Sequence, residues 1–254
     1  MISPRFFILV WVLAKVGAAG LFFLPPFVAG TLFFAPDLWL LIQSLCPNTQ
    51  GLGPVARGFT TDKHEVWLTI DDGPDPATTT RVLDLLDAHD AHATFFVIGA
   101  RVRQFPELAR EMVRRGHTLG NHTNSHPLLT FWIPRHRRTA REVDACAAAL
   151  EEAGVPATAW FRAPAGIKNF FLHPILAQRQ LCHVGWTTRG REGTSLRAAA
   201  PLARLIRGIR PGAILLTHES GPSAEVRFEV LSRALEYLKT NGYSCVLPPR
   251  ESLR

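Results

Sequence analysis

A parallel α/β barrel, closed or nearly closed and carried on a membrane-inserted N-terminus, is what this 254-residue sequence predicts. Three observations lead there. Short apolar runs alternate with helix-period stretches from about residue 65 onward. Carboxylates, imidazoles and an arginine fall at the carboxyl ends of four of those runs, where such barrels carry their chemistry. The first 35 residues are almost uninterruptedly apolar.

From residue 6 to residue 35 the only charge is Lys15, and the only other break is the pair Pro25-Pro26. That run is too long for the hydrophobic core of a signal peptide, and a span of about 20 residues crosses a bilayer. Gly17, Ala18 and Ala19 resemble a cleavage site, but Leu21, Phe22, Phe23 and Leu24 resume the apolar run at once, so an uncleaved anchor is expected. Pro36-Asp37 then breaks the run before a second apolar patch at 38–45, and one crossing or a short hairpin both fit. Arg5 and Lys15 favour a cytoplasmic N-terminus. One crossing would place the remainder outside or in the periplasm; a hairpin would return it to the cytoplasm. Residues 1–45 are thus read as the anchor, 46–61, rich in Pro, Gly and polar residues, as a linker, and 62–254 as the folded domain.

Within that domain, Glu-Val-Trp-Leu-Thr-Ile at 65–70 reads as a strand stopped by Asp-Asp-Gly-Pro, and 78–88 as a helix. Strand 94–98, helix 106–115 opening on Pro106, and strand 117–121 follow. Next come a helix at 137–153, a short strand at 159–162, a strand at 181–186 and a helix at 196–208. Strand 213–217, helix 225–240 and strand 244–247 complete the alternation, and no repeat points to a solenoid.

Composition narrows the class. A hydrophobic content of 47% supports a real core, not a disordered chain. The net charge of +7, from 28 Lys and Arg against 21 Asp and Glu, is carried mainly by arginine and suits phosphate, carboxylate or an anionic membrane surface. No nucleic-acid partner is expected, because zinc-finger spacing, an RNA-binding aromatic signature and a long Lys tract are all missing. Cys46, Cys146, Cys182 and Cys245 are scattered without a CxxC pair, so they indicate neither a disulfide framework nor a thiolate zinc site. The sequence leaves the oligomeric state open.

Four segments could carry chemistry. In Thr69-Ile70-Asp71-Asp72-Gly73-Pro74 two adjacent carboxylates follow a strand; a turn there can aim both at one pocket, one binding metal and the other taking a proton, or the segment is a surface turn. His122-Thr123-Asn124-Ser125-His126 offers two imidazoles to one cation, and imidazole with carboxylate suits zinc. Phe161-Arg162-Ala163-Pro164-Ala165-Gly166 offers an arginine able to fix a carboxylate, and a rigid Pro and Gly loop whose N–H groups can face an oxyanion. Leu216-Thr217-His218-Glu219 ends a strand in a histidine well placed to donate a proton.

Taken in order, these segments resemble the polysaccharide deacetylases, the NodB-homology or carbohydrate esterase 4 group, over roughly residues 65–247. The resemblance implies a distorted (β/α) barrel and metal-assisted hydrolysis of N-acetyl groups on the amino sugars of a polysaccharide or oligosaccharide. It implies Asp71 as general base, Asp72, His122 and His126 as ligands of a divalent ion, expected to be zinc, and His218 as general acid. Arg162 would orient Asp71, Leu216 would line the pocket for the acyl methyl, and the Ala165 N–H would help hold the oxyanion. There are departures. Ala165 stands where the family usually has an aromatic residue. The usual Trp and Asp segment is represented by residues 185–192, in which Trp186 either packs beside substrate or sits in the core, and Glu192 stands in for the Asp that holds the arginine. Glu219 replaces the Asp that commonly follows the histidine.

Residues 131–141 add Phe131, Trp132 and the run Arg135-His136-Arg137-Arg138, with Arg141 beyond it, just after the two histidines. They fit a membrane surface or a phosphorylated, lipid-linked glycan, or else form a solvated basic face. Three functions are therefore carried: a deacetylase of a polymeric or oligomeric glycan, a deacylase of a lipid-linked sugar at the membrane, and a catalytically silent glycan-binding barrel. The full set Asp71, Asp72, His122, His126 and His218 argues against silence.

Overall fold

The structure is a computed structural model that describes residues 4–20, 24–192, 195–221 and 223–254, with side chains from residue 8. Leu21, Phe22, Phe23 and the Arg5 side chain, which entered the anchor reading, lie outside the described residues.

Strand β1 (Glu65–Gly73) is the axis of the domain. Around it run β2 (Ala93–Val97), β3 (Thr118–Asn121), β4 (Trp160–Phe161) and β5 (Cys182–His183) on one side, and β7 (Ala213–His218) with β6 (Thr188–Arg189) on the other. Strand β8 (Ser244–Cys245) pairs with the start of β1. Every pairing between these strands is parallel. Helices α3 (Thr79–Ala88), α4 (Gly99–Gln104), α5 (Pro106–Arg114), α6 (His136–Glu152), α7 (Leu172–Gln178), α8 (Ala199–Arg207) and α9 (Ala224–Thr240) make the crossovers.

The alternation of side chains along a strand divides the sheet into two faces. Val66, Leu68 and Ile70 of β1, Ala93, Phe95 and Val97 of β2, and Ala213 and Leu215 of β7 bury themselves in one large core with residues of the helices. The opposite parity, Trp67 of β1, Phe96 of β2, and Ile214 and Leu216 of β7, forms an inner cluster with Phe59, Val184 and Trp186. Thr69 and Asp71 share that inner parity, which is why a polar residue inside an apolar strand is tolerated: it faces the inside of the curled sheet.

The sheet curls into a half-barrel whose rim strands β5 and β6 are not bonded to each other. The gap is occupied by residues 55–60 and the C-terminus. Ala56 bridges Val184, Gly58 bridges Ala213 and Phe59 bridges Leu253. Val55 and Phe59 are buried. The stretch 46–61, read as a linker, is therefore bonded to the barrel along much of its length. Of the strand expected at 181–186 only β5 (Cys182–His183) forms; Gly185 bonds to the Ala56 carbonyl instead, and β6 follows beyond the expected stretch.

N-terminal to the barrel, α1 (Pro4–Gly20) and α2 (Pro26–Leu45) are joined by a short connection. Among the described residues, only α2 is long and apolar enough to cross a membrane; the apolar part of α1, Ile8–Gly20, is shorter. Lys15 of α1 pairs with Asp37 of α2, Trp11 donates to the same carboxylate at 3.1 Å, and the Lys15 ammonium sits 4.0 Å from the Phe33 ring centre. Apolar side chains including Leu13, Val16, Phe27, Phe34 and Leu38 point outward.

Candidate active site

At the end of β1 the strand register shifts between Asp71 and Gly73, and Asp72 takes a left-handed backbone (φ 75°). This bulge answers how two consecutive carboxylates reach one pocket: Asp71 stays on the inner face by strand parity, and the bulge swings Asp72 toward the same side. Asp71 lies beside His218 in the β1–β7 register.

Asp71 is buried and held by Arg162, whose Nη1 donates to its Oδ1 at 2.7 Å. Arg162, which follows β4, is fully buried. Its remaining donors go to Thr69 Oγ1 (2.8 Å), the Val184 carbonyl (3.2 Å) and the Gly185 carbonyl (2.8 Å), and its guanidinium lies 4.1 Å from the Phe96 ring centre. Burial lowers the Arg162 pKa and the Asp71 charge opposes that shift. The expectation that Glu192 holds Arg162 is corrected here: the fork is filled by Asp71, Thr69 and two carbonyls, while the Glu192 carboxylate meets His218 Nδ1 at 2.9 Å.

His122 and His126 lie in a loop after β3, with left-handed residues at Thr123 and His126. Glu142 of α6 pins that loop, accepting from the N–H groups of Asn124 (3.1 Å) and Ser125 (2.8 Å) and from Ser125 Oγ (2.7 Å). Asn121 Oδ1 accepts from Thr123 N–H, and its Nδ2 donates to the Val143 carbonyl. His122 Nδ1 is 2.8 Å from the Arg162 carbonyl. A carbonyl only accepts, so Nδ1 carries the proton and Nε2 keeps its lone pair.

That lone pair faces Asp72 Oδ1 at 3.5 Å, and His126 Nε2 faces the same oxygen at 3.3 Å. One ligand atom from each of Asp72, His122 and His126 lies within 4.8 Å of the others. Asp72 Oδ1 is buried with no hydrogen-bond partner among the described residues. A buried, orphaned carboxylate oxygen between two imidazole nitrogens is what a divalent cation would satisfy, and one oxygen with two nitrogens is a donor set that zinc and its neighbours accept. Burial pushes the Asp72 pKa up, but the facing His122 imidazole, and next the His218 and His126 rings, bring it below the usual carboxylate range. Burial resists charging of His122, but the Asp71 charge, the facing Asp72 carboxylate and the Arg162 carbonyl together outweigh it and raise that pKa; His126 is lowered, mainly by burial.

Across the pocket, His218 ends β7 with Nδ1 committed to the buried Glu192, leaving Nε2 to exchange a proton with a bound molecule. Burial lowers the His218 pKa, but the Glu192 bond and charge more than compensate and raise it. Glu219 is buried too, accepts from Thr79 Oγ1 at 3.2 Å, and is pushed up to about 8 by burial.

The other expected residues are near this centre. Pro164 is buried, and Ala165 is exposed in a left-handed turn (φ 51°). Gly166 (φ 72°) packs so tightly that a Cβ there would lie 2.3 Å from Pro47 Cβ and 2.8 Å from Trp186 Cη2. Leu216 and Trp186 are buried together in the inner cluster, and the Trp186 ring centre is 5.9 Å from the Arg162 guanidinium carbon. Sequence reasoning missed Thr69, Glu142 and Lys168. Thr69 had a signal, the one polar side chain of an otherwise apolar run; Glu142 and Lys168 had none that spacing reveals.

Three comparisons bear on this arrangement. Residues 59–180 match the family model of polysaccharide deacetylases. A chitooligosaccharide deacetylase of Bradyrhizobium sp. is 36% identical over 189 residues, 71% of this chain and 85% of the relative. A peptidoglycan-N-acetylglucosamine deacetylase of Bacillus cereus is 31% identical over 197 residues, covering 76% and 91%. Among solved structures, a family 4 acetyl xylan esterase from Clostridium thermocellum, determined in complex with a cobalt ion, superposes with a TM-score of 0.65 at 32% identity over 72% of this chain and 87% of that one. With its curled parallel sheet, the chain belongs to the polysaccharide deacetylase family, NodB-homology or carbohydrate esterase 4 type, and its deacetylase relatives hydrolyse the amide C–N bonds of acetylated sugars.

Proposed function

We propose that this protein is a membrane-anchored, zinc-dependent deacetylase that removes N-acetyl groups from N-acetylglucosamine-type residues of a glycan. One observation carries the reading: the Asp72, His122 and His126 cluster lies between an Arg162-held Asp71 and a Glu192-held His218. The deacetylase names of the chitooligosaccharide and peptidoglycan relatives support an amino-sugar substrate.

Asp72, His122 and His126 would hold the cation. When bound, it supplies Lewis acidity toward the amide carbonyl and acidifies the attacking water. Asp71 acts as base: Arg162 fixes its Oδ1, so the proton of the attacking water goes to Oδ2, on the His122 side at 3.7 Å from Nε2. Water oxygen adds to the carbonyl carbon, and the Ala165 N–H and the Pro164 turn line the oxyanion side. His218 Nε2 delivers its proton to the departing nitrogen, the C–N bond breaks, and acetate and a free amine leave. Leu216 and Trp186 give the apolar wall against which the acetyl methyl and the sugar ring rest.

The test is acetate release by the purified, zinc-loaded protein from chitin oligomers, peptidoglycan and lipid-linked amino sugars. Stoichiometric zinc with no acetate from any of the three would overturn the reading.

The anchor reading is supported by α2, and one crossing would put the barrel outside or in the periplasm. A second arrangement is favoured by the Lys15 and Asp37 pair, since it neutralises the buried-depth charges of two neighbouring helices and suits a hairpin with the barrel on the side of the N-terminus. Protease accessibility of the barrel in intact spheroplasts distinguishes the two. Leu128, Leu129 (83% exposed) and Trp132 project beside His126, next to exposed Arg135 and Arg137, and support a catalytic mouth close to the membrane surface.

A further inference from the structure

Where the C-terminal end of α2 meets the barrel, an open recess of about 820 Å3 is walled by Gln43, Cys46, Arg57, Trp186, Arg189 and Arg191, among others. No Asp or Glu lines it among the described residues. Three guanidinium groups from two separate segments therefore converge on one space. The Arg57 side chain meets the neutral Gln50 amide oxygen, 3.1 Å from both Nε and Nη2 in the amide orientation that satisfies both groups, so that contact leaves its charge uncompensated. Arg189 stacks on Trp186, its guanidinium carbon 5.0 Å from the ring centre. Burial, and next the charge of Arg191, lower the Arg189 pKa, which reports cations crowded together; Glu192 opposes the shift from the catalytic side.

Trp186 lines this recess and also packs with Leu216 in the inner cluster. One side faces Arg189, and Arg162, which holds Asp71, lies 5.9 Å from its ring centre. Pro47, immediately after α2, and Gly166 of the Arg162 loop close against the same ring. A ligand seated in the recess is thus one indole away from the catalytic pocket and at the level where α2 would leave the bilayer.

Arginine forks bind phosphate oxygens bidentately, and basic pockets at the membrane surface hold anionic headgroups. We propose that the recess binds the phosphate or diphosphate joining an N-acylated amino sugar to a membrane lipid, with the sugar extending past Trp186 toward Asp71 and His218. This rests on the anchored-deacetylase reading and names its substrate class.

The experiment uses full-length protein in zwitterionic detergent micelles and isothermal titration with two probes, N-acetylglucosamine linked through diphosphate to a farnesyl chain and neutral octyl N-acetylglucosaminide. The readout is the ratio of the two affinities, because loss of fold weakens both probes alike. The diphosphate probe should bind about tenfold tighter or more, the ratio shrinking as salt rises. In Arg57→Gln with Arg189→Gln the ratio should fall toward about one, and in Arg57→Lys with Arg189→Lys most of it should return. A ratio within about twofold of one for the unaltered protein, or a Gln variant that keeps the full ratio, overturns the proposal. Equal affinity for the sugar nucleotide UDP-N-acetylglucosamine and the farnesyl probe overturns the lipid part. Failure to release acetate from neutral chitin oligomers counts against the deacetylase reading instead and leaves the ratio informative.

Discussion

Replacing Arg162 by Met should destabilise the protein severely, and the structure says why. Arg162 is fully buried, and its loss leaves the buried Asp71 carboxylate without its cation and the Val184 and Gly185 carbonyls without their donors. Breaking a buried ion pair from one side costs about 3 to 5 kcal/mol. A domain of this size loses roughly 2 to 4 °C of melting temperature per kcal/mol, so a fall of about 6 to 20 °C is expected. Asp71→Asn should cost less, about 1 to 3 kcal/mol, because the amide oxygen still accepts from Nη1 while the cation keeps Thr69 and two carbonyls. The double variant removes both charges, and its loss should fall short of the sum of the single losses by about 1 to 3 kcal/mol. Thermal melts of the metal-loaded protein, followed by intrinsic fluorescence, complete the cycle. Additivity within about 0.5 kcal/mol would refute the claim that these two charges are coupled in a solvent-free site.

His122→Ala or His126→Ala should abolish stoichiometric zinc and acetate release while the protein remains folded; metal analysis beside circular dichroism checks it, and full activity in metal-free protein would sink the assigned chemistry. Asp71→Asn should retain zinc and lose at least about 100-fold in turnover, measured on one preparation, because an amide cannot take the water's proton. Glu192→Gln should move the alkaline limb of the kcat/KM profile to lower pH: Glu192 raises the His218 pKa, so in the unaltered protein protonated His218 persists to higher pH than in the variant. The accompanying stabilisation is full below the ordinary histidine value of 6.5, is lost as pH rises through the raised folded value, and should shrink in the variant, where the Asp71 and Asp72 charges remain. Cutting the chain before Gly53 should yield a less stable domain than a cut that keeps residues 43–53, since Lys168 loses its acceptors; Lys168→Met in the shorter version should recover part of the melting temperature.

Contiguous signals were legible in the sequence. Strands β1 and β7 are apolar runs ended by their own chemistry, and the four motifs lie at strand ends as expected for a parallel barrel. The cation cluster could be read because each ligand sits in a short, recognisable segment. What the sequence hides depends on how segments meet. Two-residue strands such as β4, β5 and β6 carry no periodicity of their own and exist because neighbours supply their hydrogen bonds. Helix α7 contains Pro174 in its first turn and is too short for a periodic pattern. Glu192 was matched to Arg162 by analogy of position, whereas the choice between Arg162 and His218 is settled by which donors the Val184 and Gly185 carbonyls have already occupied. Residues 46–61 look like a flexible connection because Pro, Gly and polar residues dominate, yet Val55, Ala56 and Phe59 fill the gap between the rim strands, a vacancy no local pattern announces.

That docked connection changes how the proposed anchor would act on the site. A free chain of about 15 residues would let the barrel wander roughly 20 Å from its anchor, and the only benefit would be local concentration. Here the Lys168 amine, buried and lowered to about 8 by that burial, donates to the Cys46 and Pro47 carbonyls at 2.7 and 2.8 Å, and its N–H bonds the Ser44 carbonyl at 2.9 Å. Lys168 follows Gly166 by two residues, so the end of α2 is fastened to the loop that carries Arg162. Asn48 adds a bond from its Nδ2 to the Trp186 carbonyl at 2.8 Å. Tilting α2 relative to the barrel would strip a buried amine of its acceptors, which costs more than thermal motion supplies. With α2 in a bilayer, the orientation of the catalytic mouth is therefore set as well as its distance. For a substrate whose sugar is held at the same surface by its own lipid, both partners then meet with most rotational freedom already removed, so less of the binding energy is consumed in alignment. A soluble oligomer gains nothing from that arrangement, and the difference between the two substrate classes is what the fastening of α2 to the Arg162 loop would produce.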